Sequence, residues 1–102
     1  MDHSRAERRR DRRIPLGCKV AIRVEGTREP VVGVCVELSV GGMTIQSSHV
    51  PRMDEVFELV VLPPEPGGVH SPLHVRARVR RCDGTAQPGL YEMGVEIIEV
   101  LR

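Results

Sequence analysis

The chain of 102 residues contains no tryptophan, and Phe57 and Tyr91 are its only aromatic side chains. Small barrels that hold single-stranded nucleic acid stack bases on aromatic platforms, so that class is disfavoured from the outset. Long apolar runs are also missing: none approaches the roughly 18 residues of a membrane-spanning helix, and the first residues are charged where a secretory leader would be apolar. The expectation is a cytoplasmic chain without membrane insertion. Cysteine is sparse: Cys18, Cys35 and Cys82 are odd in number, far apart and free of any CxxC spacing. They read as reduced, buried thiols and not as a disulfide framework or zinc site. Nor does the sequence hold HExxH, GxSxG or GxxxxGK[ST], or a carboxylate and histidine placed for a reaction, so neither catalysis nor a metal or other cofactor is expected. His70 and His74 are four apart, but Pro72 between them removes the helical spacing a metal pair would need, and they read as solvent-facing.

Net charge is nearly absent, at +1, yet it is unevenly spread. Six arginines crowd the nine positions from Arg5 to Arg13, while residues 14–102 carry nine basic and eleven acidic side chains. Residues 1–13 therefore read as a basic arm and residues 14–102 as one small domain with a single modest core. The arm has no apolar periodicity before Ile14, so on its own it is expected to be disordered. A net-negative body disfavours wrapping by a long polyanion, which again argues against nucleic acid.

Beyond the arm, Gly and Pro clusters recur every eight to twelve residues and apolar residues alternate, which predicts an all-β fold. In "CKVAIRVE", Val20, Ile22 and Val24 share one face, and "EGTRE" turns the chain. In "PVVGVCVELS", a period of two puts Val32, Val34, Val36 and Leu38 on the core side. "GMTIQ" predicts a third strand. "VFELVVL", apolar on both faces, predicts a central or covered fourth, followed by the loop "PPEPGGVHSP". "LHVRARVRRC" and "YEMGVEIIEV" predict a hairpin joined by "DGTAQPG". Six short antiparallel strands suit a small barrel, which also removes exposed sheet edges. Arg76, Arg78 and Arg80 alternate along the fifth strand, and Glu92 and Glu96 are placed to pair with them across to the sixth.

Glu37 and Ser39 lie at the end of the second strand, opposite its core face and just before Gly41-Gly42, so two polar groups meet a flexible turn. Taken with Arg9-Arg10-Asp11-Arg12-Arg13 upstream, "ELSVGG" resembles the two motifs of the PilZ family, RxxxR ahead of the first strand and [D/N]xSxxG after the second; "YEMGVEI" resembles the strand that closes the family's barrel. The resemblance covers roughly residues 7–99. Arg5/Arg9 and Arg8/Arg12 also satisfy RxxxR, but Arg9/Arg13 stands directly before the apolar Ile14-Pro15, as the family's pair does. The resemblance implies a bacterial second-messenger receptor that binds cyclic di-GMP and signals through an effector protein, as a monomer or a ligand-dependent dimer. It assigns Arg9, Arg13, Glu37, Ser39 and Gly42 to the ligand, with Arg8 bearing on whether one ligand or a stacked pair binds. Arginine suits both ends of such a ligand, because its fork pairs with phosphate or with guanine O6 and N7 and its plane stacks on purines. Residue 37 accepts from the guanine edge, Ser39 donates to a phosphate or turns the loop, and Gly42 admits close approach. Glu37 departs from the Asp or Asn of the motif, keeping the acceptor one methylene further out. Members that have drifted from the motifs act as protein-interaction modules without ligand, which is the alternative reading. The chain stops soon after the closing strand, so the C-terminal helix many members carry is expected to be absent or very short.

Overall fold

The computed structural model describes residues 17–62 and 72–101; the arm, the loop 63–71 and the arginines assigned to RxxxR lie outside them. Six strands follow one another: β1 (Cys18–Arg23), β2 (Val31–Leu38), β3 (Gly42–Ser47), β4 (Val56–Val61), β5 (Leu73–Gly84) and β6 (Tyr91–Val100). All neighbours are antiparallel and the order β1-β2-β3-β6-β5-β4 closes into a barrel. Closure leaves no strand at an edge, which makes β4 central as expected, although Val56 on its outer face stays exposed.

Alternation builds the core. Val20 and Ile22 of β1, Ile45 of β3, Leu59 of β4, Val75 and Val79 of β5 and Met93 of β6 are all essentially inaccessible to solvent. Medium-sized and β-branched side chains fill so narrow an interior without aromatics, apart from Phe57 near one end. Cys18 and Cys35 are buried within it and face each other across β1 and β2, whereas Cys82 is only half-buried.

The first half of β2 reverses the expected phase. Val32 and Val34 point outward, 62% and 38% exposed, and Gly33 and Cys35 point inward. The inner place at position 33 is tight: a Cβ there would stand 2.6 Å from the Gln46 carbonyl oxygen. A glycine fits and a valine does not. The register with β3 then slips between Cys35 and Glu37, so the phase inverts and Leu38 returns to the core. A bulge of this kind puts an extra residue in one strand and re-aims the side chains beyond it.

Candidate functional site

Register alone assembles a polar row on the outside of the barrel. Glu37 of β2 lies opposite Thr44 of β3, Thr44 opposite Gly94 of β6, and Gly94 opposite Arg81 of β5. Small side chains in the middle and long charged ones at either side make a trough. It is a cleft of about 370 Å³ that Ser39 and Gly42 also line, with Arg80 beside Arg81. That volume is at the small end for ligand sites. One wall carries a carboxylate and the other two guanidiniums, so the cleft can accept hydrogen bonds on one side and offer positive charge on the other.

The hairpin between β2 and β3 sets the near end. The Ser39 amide donates to the Gly42 carbonyl at 2.9 Å and the Ser39 hydroxyl points to the same oxygen at 3.3 Å. Ser39 thus turns the loop, one of the two roles its position suggested. Gly42 lines the cleft, but its missing side chain answers to the barrel: a Cβ there would lie 2.5 Å from the Val95 carbonyl oxygen. Gly41 closes the corner from the other side, its carbonyl accepting from the Ile97 amide at 3.0 Å. Next to Glu37, the buried Cys35 thiol donates to the Glu37 carbonyl at 3.3 Å. Burial in the core pushes this thiol up to about 11.

The far wall depends on a second irregularity. The β5–β6 register shifts between Val79 and Arg81, so Arg80 and Arg81 are both exposed on the outside in succession. Arg81 Nη1 stands 3.1 Å from Asp83 Oδ2, and its Nη2 stands 3.5 Å from Glu92 Oε2. Arg80 reaches Asp54 at 3.2 Å; its Nε is 3.1 Å from Glu96 Oε1, close enough for charge attraction without hydrogen-bond alignment. The expected ladder is therefore rearranged. Glu96 does serve Arg80, but Glu92 pairs with Arg81, and Arg76 pairs with Glu58 and Glu99. Among the described residues Arg78 makes no ion pair. Of the two histidines, His74 has its Nε2 3.2 Å from Glu58 Oε1, and His70 falls outside the described residues.

Of the six expected ligand residues, Glu37, Ser39 and Gly42 come together in this one cleft, and Arg8, Arg9 and Arg13 lie outside the described residues. Thr44, Arg81 and Gly94 were not expected there. The one available signal was Gly94, a glycine isolated within a strand, which marks a bulge or a close approach. No helix among the described residues is long and apolar enough to cross a membrane.

Residues 7–102 match the PilZ domain family. Among solved structures, the barrel is similar to that of the Bacillus subtilis inhibitor of motility (MotI/DgrA), with a TM-score of 0.69 and 20% sequence identity. The match covers 87% of this chain and 42% of that one, so this chain spans less than half the length of that protein. Comparison with curated proteins finds no match.

Proposed function

Because the chain belongs to the PilZ domain family, we propose that it is a cyclic di-GMP receptor that passes the signal to a partner protein. The observation that carries this reading is the convergence of Glu37, Ser39 and Gly42 on a single cleft. Glu37 accepts from guanine N1–H or N2–H₂ through its carboxylate. Ser39 holds the corner on which the ligand rests. A cleft this small leaves much of a cyclic dinucleotide uncovered, and Arg9 and Arg13 supply the remainder by pairing with its phosphates and guanines.

Six guanidiniums in the arm repel one another, and a ligand with two phosphates offsets part of that repulsion. Binding then draws the arm over the cleft, at an ordering cost of about 2–5 kcal/mol. The composite surface of arm, ligand and barrel exists only when the messenger does, and an effector protein can read it. The Bacillus subtilis protein is an inhibitor of motility, and an inhibitory output suits a site built for binding.

The second reading is a PilZ-like interaction module that does not bind cyclic di-GMP, favoured by Glu37 standing where the family has Asp or Asn. Calorimetric titration of the full chain with cyclic di-GMP separates the two. Binding is expected, and Arg9→Ala or Arg13→Ala should each weaken it by about 1.5–3 kcal/mol, the loss of charge-assisted hydrogen bonds. Arg5→Ala should matter much less. No heat and no rise in melting temperature at high ligand concentration would give the chain to the second reading.

A further inference from the structure

We propose that Arg81 is a further ligand-binding residue, a guanidinium platform on β5 that stacks on a guanine seated in the cleft. This rests on the reading of the cleft as a cyclic di-GMP site. Arg81 lies lengthwise over Gly94: a Cβ built on that glycine would meet Arg81 Nε at 3.0 Å, Cγ at 3.1 Å and Cζ at 3.5 Å. The absent side chain is the space the arginine occupies. Its two terminal nitrogens are directed at Asp83 and Glu92, at 3.1 and 3.5 Å, while the side chain as a whole remains 49% exposed. The edge of the guanidinium is thus engaged by protein carboxylates, and what it has left to offer a ligand is its plane. A plane whose two terminal nitrogens already face carboxylates loses less freedom on stacking than a fully solvated one, and arginine on a purine combines cation–π attraction with dispersion.

The rest of the cleft makes this role specific. Glu37 on the opposite wall is suited to the hydrogen-bonding edge of guanine, yet no aromatic lines the cleft to bear on the base's face. Thr44 floors the trough between them, while Gly94 lets Arg81 lie flat against the sheet at its side. Arg80 is placed differently. It is the extra residue of the irregularity and faces Asp54 and Glu96, with no glycine beneath it.

The test is titration of the full chain and its variants with cyclic di-GMP, alongside NMR of the arginine Nε–H groups. Arg81→Ala should weaken binding about tenfold or more, the range of losing one stacked base. Arg81→Lys should be about as weak, because lysine keeps the charge but not the plane, and Arg81→Trp should return affinity to within about threefold of wild type. The Arg81 Nε–H signal should move upfield on binding, under the ring current of the guanine. Melting temperatures should barely change, since the ion pairs removed are exposed. Should Arg81→Ala bind within twofold of wild type, or Arg81→Lys bind as well as wild type, stacking by Arg81 is excluded while the receptor reading stands. Absence of binding by the wild-type chain would overturn both.

Discussion

Gly42 on β3 and Gly94 on β6 lack a side chain for different reasons, and the difference decides what an alanine does at each. The Cβ of residue 42 would press on the Val95 backbone carbonyl, which belongs to the β3–β6 ladder and cannot retreat without opening it. The Cβ of residue 94 would press on the length of the Arg81 side chain, which can shift outward at the cost only of its exposed ion pairs with Asp83 and Glu92. Gly42→Ala should therefore destabilise the barrel by about 1–3 kcal/mol, the usual cost of forcing a methyl into filled space. In a domain of this size that is a fall of several degrees in melting temperature. Gly94→Ala should leave stability within about 0.5 kcal/mol and displace Arg81 instead. Urea denaturation of the two variants is the measurement, and the reverse order of stabilities would show that the strand, not the arginine, sets the requirement at 94. At Gly42, which also lines the cleft, the neighbouring strand by itself already requires that the side chain be missing.

At the scale of single strands, the six elements and their closure were legible because turn residues punctuate the chain and β-branched residues alternate between them. The faces of β2 were not. With Val31, Val32, Val34 and Val36 all apolar, a period of two has no contrast to lock on to, and position 33 is inward for a reason that lies on β3. Glu37 and Ser39 nevertheless came out on the expected outer face, because the undetected bulge inverts the phase a second time. On β5, the run Arg80-Arg81 gave no sign that both would face outward, and so the far wall of the cleft went unseen. Bulges depend on pairing between strands, which local sequence does not encode. The β2 bulge carries its own titratable group. Cys35 donates to the Glu37 carbonyl beside the bulge, and burial raises its thiol from 9.0 to about 11. Below pH 9 the thiol is neutral in both folded and unfolded chains and costs nothing. Between about 9 and 11 the unfolded chain loses the proton while the folded one keeps it, so stability falls across that window, by on the order of 2 kcal/mol at its upper end. Denaturation curves of wild type and Cys35→Ala from neutral to alkaline pH isolate this loss from the titration of other groups. Equal alkaline losses in the two proteins would mean that the thiol is not held protonated by the fold.

For the molecule as a whole, the question is which anions its charges can hold. The cations of β5 are mostly engaged within the barrel: Arg76 with Glu58 and Glu99, Arg80 with Asp54 and Glu96, Arg81 with Asp83 and Glu92. Individually such exposed pairs add little stability. Together they leave Arg78 as the one arginine of β5 without an ion pair among the described residues, and beyond the arm the chain has more acidic than basic side chains. On the proposed function, recognition comes from a compact ligand that meets Glu37 on one side and arginine on the other, with the arm adding local contacts to its two phosphates. Salt distinguishes this from polyanion binding. A nucleic acid held by the six arginines of the arm would release condensed counterions and lose on the order of 10³ in affinity between about 50 and 200 mM salt. Cyclic di-GMP carries only two charges and no condensed atmosphere, and the contacts proposed for it include hydrogen bonds to guanine that salt screens weakly. Its affinity should fall by less than about tenfold over the same range. Titrations at both salt concentrations check this, and a loss approaching the polyanion value would show that the arm's charge, and not the cleft, holds the ligand.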